Sequence, residues 1–320
     1  MPRLKRVRPG TDIGYRRLGS GTGFRYVDAD GSPLPRAEAD RVRALVLPPA
    51  WQDVWICSDP NGHIQATGVD EAGRVQYRYH PQWTAGRDRG KYARALQLAE
   101  ALPRARGRVT TSLRREDIDQ ERVLAAAFRL LDLAAPRVGA ERYLVKHGSR
   151  GLTTLLRRDA EVDGTVVALR FPGKSGQRQE MEVDDPDLAA AVELLVAGRP
   201  SSPLLAYLRG RRRIALSGKD VNVYVRAMTG GTFTAKDFRT LRGTIVAAEA
   251  LAGIGPVRTK TEMKRAEVQA VKTTAEALGN TPAVARSSYI DPRVFDRYRR
   301  GVLLDTTVSP ESAIRDLILV

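Results

Sequence analysis

Phe233-Thr234-Ala235-Lys236-Asp237-Phe238-Arg239-Thr240-Leu241 reads as the opening of a helix that continues to Leu251. Thr234 and Asp237 stand three apart, the spacing of an N-terminal capping pair. Arg239 then falls in the first turns of that helix. A helix N-terminus already favours a phosphate, because its first backbone N–H groups are free and its dipole is positive there. The same capping device recurs on both sides. Ser217 with Asp220 opens a helix to Met228, Thr281-Pro282 opens another, and Ser309-Pro310 opens one that runs through Leu319. Ile118 to Ala134 is a long helical pattern with apolar residues at helical spacing. Two strands, Thr165 to Phe171 and Arg178 to Val183, flank the turn Pro172-Gly173-Lys174-Ser175-Gly176.

The first quarter of the chain has a different texture. Residues 1 to about 85 read as β-rich. Phe24-Arg25-Tyr26-Val27 leads to Asp30-Gly31, a hairpin signal. Val54 to Cys57, His63 to Val69 and Arg74 to Tyr79 read as strands, with Val75, Tyr77 and Tyr79 on one face of the last and Gln76 and Arg78 on the other. Trp83-Thr84-Ala85-Gly86-Arg87-Asp88-Arg89-Gly90 is polar and glycine-bearing and reads as an interdomain linker.

At 320 residues, two domains are expected. Hydrophobic residues make up 42%, enough for a proper core. Lys and Arg total 53 against 37 Asp and Glu, a net charge of +16. That field attracts polyanions, nucleic acid first and an anionic membrane surface second. The single cysteine, Cys57, excludes an intramolecular disulfide and fits a reducing compartment. The N-terminus lacks the apolar stretch of a signal peptide, and no apolar run is long enough to span a membrane. The expectation is a cytoplasmic, nucleoid-associated protein.

Several chemistries are disfavoured. His63, His80, His147 and Cys57 show no zinc-ligand spacing. Gly173-Lys174-Ser175 resembles the end of a phosphate-binding loop, but Ala168 replaces the required earlier glycine. No carboxylate pair suggests two magnesium ions. What stands out is a series of cations and polar donors in constrained settings: Arg137 after a long helix, Lys174 at a hairpin tip, Arg239 in a capped helix, then Leu278-Gly279-Asn280-Thr281-Pro282 before Ala285-Arg286-Ser287-Ser288-Tyr289.

In this order these segments resemble the type IB DNA topoisomerases, the poxvirus-like and bacterial branch. The matching stretches are Pro136 to Gly139, Gly148 to Leu155, Phe171 to Gly176, Phe233 to Leu241, and Leu278 to Pro282 through Ser287-Ser288-Tyr289. Arg74 to Tyr79 resembles the family's DNA-contacting strand. The resemblance implies an α+β chain. A small β-rich N-terminal DNA-clamp domain (1–88) would precede a larger, mainly helical catalytic domain (89–320) of the topoisomerase IB/tyrosine recombinase type, with a small β-sheet.

The resemblance makes Tyr289 the nucleophile, Arg137 and Arg239 the arginines of the site, and Lys174 the general acid. Asn280 stands where many relatives have histidine. An amide can donate to a non-bridging oxygen but brings no titratable proton. The implied reaction is single-strand cleavage of duplex DNA through a 3′-phosphotyrosyl link, then religation, with no metal, ATP or other cofactor. The partner is duplex DNA, gripped by a monomer acting as a clamp. Gln76, Tyr77, Arg78, Tyr79 and Lys236 are the candidate DNA-binding residues. For Tyr77 and Tyr79 the alternative is packing in a small sheet core. For the run Arg209-Gly210-Arg211-Arg212-Arg213 it is a solvated basic loop, and for His147 a structural role. Two rival functions share parts of the pattern. A tyrosine recombinase uses the same chemistry, but usually has histidine where Lys236 stands and a helical first domain. An architectural DNA-binding protein explains the charge but not the four residues together.

Overall fold

The computed structural model describes residues 3–21 and 23–319. The chain divides into two compact units, Met1–Gly90 and Lys91–Val320.

The first unit is built on an antiparallel sheet with helix α1 (Arg36–Ala44) packed against it. Its strands are β1 (Gly14–Ser20), β2 (Gly23–Val27), β3 (Gln52–Cys57), β4 (Ile64–Val69) and β5 (Val75–Tyr79), in the order β2-β1-β3-β4-β5. Val42 from α1 meets Leu47, Val54, Ile56 and Ala66 in a small core. In the β1–β2 hairpin Ser20 pairs with Gly23, and Asp30-Gly31 lies beyond β2. There the Asp28 carboxylate accepts the N–H groups of Asp30 at 3.0 Å and Ser32 at 2.8 Å. This Asx-type turn returns the chain through a Val27–Pro33 bridge into α1. The expected hairpin at Asp30-Gly31 is thus a turn into a helix, set by a local side-chain acceptor.

The expected linker is also corrected. Trp83 to Gly90 lie inside α2 (Pro81–Leu113). Gly86 and Gly90 both occupy exposed positions, where a glycine costs about 1 kcal/mol of helix propensity and disrupts no packing. Trp83 anchors this first part of the helix by meeting the His63 ring edge-on at 4.7 Å.

The second unit continues with α3 (Gln120–Ala134), α4 (Glu141–His147), β6 (Ala160–Asp163), β7 (Val166–Pro172), β8 (Arg178–Asp184), α5 (Pro186–Val196), β9 (Ala206–Arg209), β10 (Arg212–Ala215), α6 (Gly218–Thr229), α7 (Ala235–Ile254), α8 (Lys260–Leu278), α9 (Pro282–Ser288), α10 (Pro292–Arg299) and α11 (Pro310–Leu319). Strands β6-β7-β8 form one antiparallel sheet and β9-β10 a separate hairpin. Val167, Leu169, Phe171 and Val183 turn from the larger sheet into the core shared with α3 and α5.

Helix α7 is the hub, touching α3, α6, α8, α10 and α11. Phe128 of α3 meets Phe238 of α7 edge-on at 5.3 Å, an arrangement worth about 0.5–1.5 kcal/mol beyond the area it buries. The cap of α7 is polar and tight. Thr234 donates to the Asp237 carboxylate from its N–H and its hydroxyl, both at 2.9 Å. Asp237 is itself buried and receives Arg94 Nε from α2 at 3.3 Å.

Candidate active site

Two arginines from distant parts of the sequence are held at the end of one helix. A helix leaves its last carbonyls without intrahelical partners, and its dipole is negative there. At the end of α8, Leu278 O accepts Arg239 Nη2 at 2.8 Å and Gly279 O accepts Arg137 Nη1 at 3.0 Å. Arg239 Nη1 also donates to Ala135 O at 2.6 Å. Ala135 ends α3 at φ +47, the left-handed conformation, so the chain turns there and brings Arg137 to the same place. Arg137 Nη2 donates to Asn280 Oδ1. Gly279 is left-handed too, at φ +57, and closes α8 so that Asn280 follows directly.

Thr281 then caps α9, accepting Val284 N–H at 3.4 Å, and Tyr289 lies at the end of that helix. The seat of Tyr289 is made by α7. A Cβ on Gly243 would stand 2.9 Å from Tyr289 O, 3.0 Å from Tyr289 Cβ and 3.0 Å from Leu278 Cδ1, so only glycine lets the two backbones come this close. The buried Thr244 hydroxyl shares its proton between Thr240 O at 2.8 Å and Tyr289 O at 3.2 Å, and accepts Asp291 N–H at 3.1 Å. Glu267 of α8 braces the helix from another side. It receives Arg286 Nη2 at 3.1 Å, three residues before Tyr289, and Arg299 Nε at 2.8 Å.

Tyr289 is half-buried beside the cations. The guanidinium carbon of Arg239, itself 4% exposed, lies 5.0 Å from the Tyr289 ring centroid. Burial pushes the phenol pKa up. Arg239, then Arg137 and Lys236, pull it down and outweigh burial, so the net shift is below the ordinary phenol value. Arg137 is lowered by burial first and by the like charge of Arg239 second, while Tyr289 opposes both. Two donors in this cluster are buried without a protein acceptor: Arg239 Nε and Asn280 Nδ2. Buried donors are rarely left unused. Here both belong to the cluster of cations and polar groups around Tyr289.

The structure therefore brings together Arg137, Arg239, Asn280 and Tyr289, with exposed Lys236 near enough for its charge to act on the phenol. Lys174 is not in this cluster. It is exposed at the tip of the β7–β8 hairpin and makes no hydrogen bond or ion pair among the described residues. The hairpin is nonetheless tied to the site. Buried Gln179 of β8 fills the space where side chains on Gly173 and Gly279 would stand. Glycine at these two positions lets the Lys174 turn pack on the loop that carries Asn280.

In the first unit, β5 is an edge strand. Val75 and Tyr77 are exposed, at 55% and 48%, so the face they share with Tyr79 is not the sheet core. The Tyr77 and Tyr79 rings stack at 5.8 Å, with Arg87 over Tyr79 at 5.6 Å. Arg78 is exposed, and Gln76 Nε2 donates to Asp70 Oδ2 at 2.8 Å. Arg209 to Arg213 form the exposed β9–β10 turn. The side chain of His147 lies outside the described residues. Among the described residues, no group of three or more His, Cys, Asp or Glu side chains could hold a metal ion, and no helix is long and apolar enough to cross a membrane.

Sequence reasoning did not find Gly243, Thr244, Glu267 or Gln179. All four act through tertiary contacts with residues far along the chain, and none sits in a local motif.

Residues 80–301 match the family model of the eukaryotic DNA topoisomerase I catalytic core, and residues 23–70 match that of the bacterial DNA topoisomerase IB N-terminal domain. The chain is also 28% identical over 299 residues to DNA topoisomerase 1B of Acanthamoeba polyphaga mimivirus, covering 90% of this chain and 88% of that protein. Among the three functions weighed from the sequence, these matches favour the topoisomerase.

Proposed function

The chain belongs to the type IB DNA topoisomerase family, an isomerase acting on DNA, and we propose that it relaxes supercoiled duplex DNA through a covalent bond to Tyr289. The phenolic oxygen attacks a backbone phosphate, the bond to the 5′ oxygen breaks, and a 3′-phosphotyrosyl ester forms. The free 5′ hydroxyl end then swivels and attacks in reverse. The ester keeps the energy of the broken bond, so religation needs neither ATP nor metal.

The observation that carries this reading is the pair of unused buried donors, Arg239 Nε and Asn280 Nδ2, beside a tyrosine whose pKa is pulled down by cations. Charge builds on the non-bridging oxygens as the phosphate becomes five-coordinate. Preorganised donors stabilise it, and losing one such donor typically costs on the order of 10²–10³ in rate. Arg137 and Arg239 spend part of their forks on the peptide oxygens of α8 and α3, which fixes them before substrate arrives. Lys174 serves as general acid for the 5′ oxygen, the hairpin tip carrying it to the leaving group when DNA is bound. The exposed edge of β5, with Gln76, Tyr77, Arg78 and Tyr79, meets the duplex, and Lys236 grips a phosphate near the site.

The test is plasmid relaxation in EDTA without ATP, combined with trapping on a suicide substrate and mapping of the DNA-linked peptide. Tyr289→Phe should abolish the adduct and leave duplex binding nearly intact. Dependence on magnesium, or an adduct that persists in Tyr289→Phe, overturns the reading.

A further inference from the structure

Arg157 has no part in the chemistry above, and its surroundings are unusual for a cation. It begins a short 3-10 turn, Arg157–Asp159, before β6, and it is only 5% exposed. Its Nε and Nη2 are buried without an acceptor, and its guanidinium makes no hydrogen bond or ion pair among the described residues. The nearest carboxylate in sequence is already engaged. Asp159 takes Arg150 Nη2 at 2.7 Å and Leu156 N–H at 2.8 Å.

What surrounds Arg157 is backbone and more positive charge. The N–H groups of Arg157 and Arg158 donate to Ser202 O at 3.0 Å and Pro200 O at 3.1 Å, fastening the turn to the loop 197–203. Gly198 of that loop sits at φ +111, and Arg157 Nη1 occupies the place where a side chain there would begin. Burial first, and the like charge of Arg213 on β10 second, hold the Arg157 guanidinium below its ordinary pKa. Arg213 belongs to the exposed basic run 209–213, which the reaction leaves unused.

A buried cation with no counter-charge is among the most costly features a fold can retain, and a second cation nearby adds to the cost. The two idle donors also have a definite geometry. Nε and Nη2 form one edge of the guanidinium fork, the edge that grips two oxygens of a phosphate side by side. We propose that Arg157, walled by the Gly198 loop and assisted by Arg213, is a second oxyanion site that binds a phosphate group and shares no residue with the cluster around Tyr289. The phosphate comes either from the backbone of bound DNA or from a free phosphate ion.

Two measurements on the full chain separate the sources. The first is the salt dependence of duplex binding in a Tyr289→Phe background, which binds without cutting. If the ligand is a DNA phosphate, adding Arg157→Met lowers the slope of log affinity against log salt by about 1, as expected for one lost phosphate contact. The second is thermal melting in inorganic phosphate against chloride at matched ionic strength. If the ligand is free phosphate, phosphate raises the melting temperature of the wild type and not of Arg157→Met. Arg213→Gln, on an exposed hairpin and harmless to folding, should shift whichever readout responds, in the same direction. If both variants leave the salt slope and the phosphate response at wild-type values, the site does not exist.

Discussion

Gly243→Ala sets two forces against each other. On helix propensity alone the change should stabilise α7 by about 1 kcal/mol. The packing opposes it. The new methyl would stand 2.9 Å from Tyr289 O and 3.0 Å from both Tyr289 Cβ and Leu278 Cδ1, whereas carbon atoms settle at about 3.5–4.0 Å. Leu278 can yield by rotation. The Tyr289 carbonyl has less freedom, because the peptide that carries it donates Ile290 N–H to Ala285 O at 3.2 Å and its oxygen lies 3.2 Å from the Thr244 hydroxyl. Tyr289 must therefore retreat by roughly 0.5 Å, a distance set by those contact limits. Overpacking of this kind costs about 1–3 kcal/mol, so the net loss of stability should be only about 0–2 kcal/mol. The chemical step is more sensitive. A misplacement of about 1 Å costs on the order of 10²-fold, so roughly 10-fold slower adduct formation is expected here. The assay is single-turnover trapping on a suicide substrate with enzyme in excess. Duplex affinity, measured in a Tyr289→Phe background, should not change. Adduct formation within twofold of wild type would refute the claim that Gly243 seats the nucleophile.

Three further outcomes follow from the same geometry. Thr244→Val keeps the shape but strands Asp291 N–H and Tyr289 O, so a loss of about 1–3 kcal/mol is expected in denaturant unfolding, with slower cleavage. Glu267→Gln removes the charge between Arg286 and Arg299. Since both arginines are about half exposed, the cost should be only about 1–2 kcal/mol, but adduct formation should fall more than duplex affinity. For pH, the attacking form is phenolate and the Tyr289 pKa is lowered, so cleavage should rise with pH and level off below the ordinary phenol range. Lys236→Ala withdraws one of the cations that lower it, so the rise should move to higher pH, and an unmoved profile would show that Lys236 does not act on the phenol.

Local chemistry was the legible part of this protein. Thr234 with Asp237, Ser217 with Asp220 and Thr281 with Pro282 announce their helices because each cap is made within three residues. The β7–β8 hairpin is equally visible, since its turn residues are contiguous. What lay beyond reach depends on distance. Arg137 meets Gly279 and Asn280 across more than a hundred residues, and no local pattern records that meeting. The resemblance named Arg137, Lys174, Arg239, Asn280 and Tyr289 together, but not that peptide oxygens hold the arginines. The alternation in β5 correctly groups Val75, Tyr77 and Tyr79, yet periodicity cannot say which face of an edge strand meets water. Trp83 to Gly90 misled because a helix tolerates exposed glycines whose cost its flanking turns outweigh.

The arginine anchors at the end of α8 are main-chain atoms, and this makes the site indifferent to some changes and intolerant of others. Substitution at 278 can alter a side chain without touching the oxygen that holds Arg239. A one-residue insertion or deletion within α8 is another matter. It would rotate everything beyond it by about 100° and shift it by about 1.5 Å along the axis. Arg137 would lose its mooring and Arg239 would keep only the one to Ala135 O, so descendants of this chain should vary freely in the composition of α8 and hardly at all in its length.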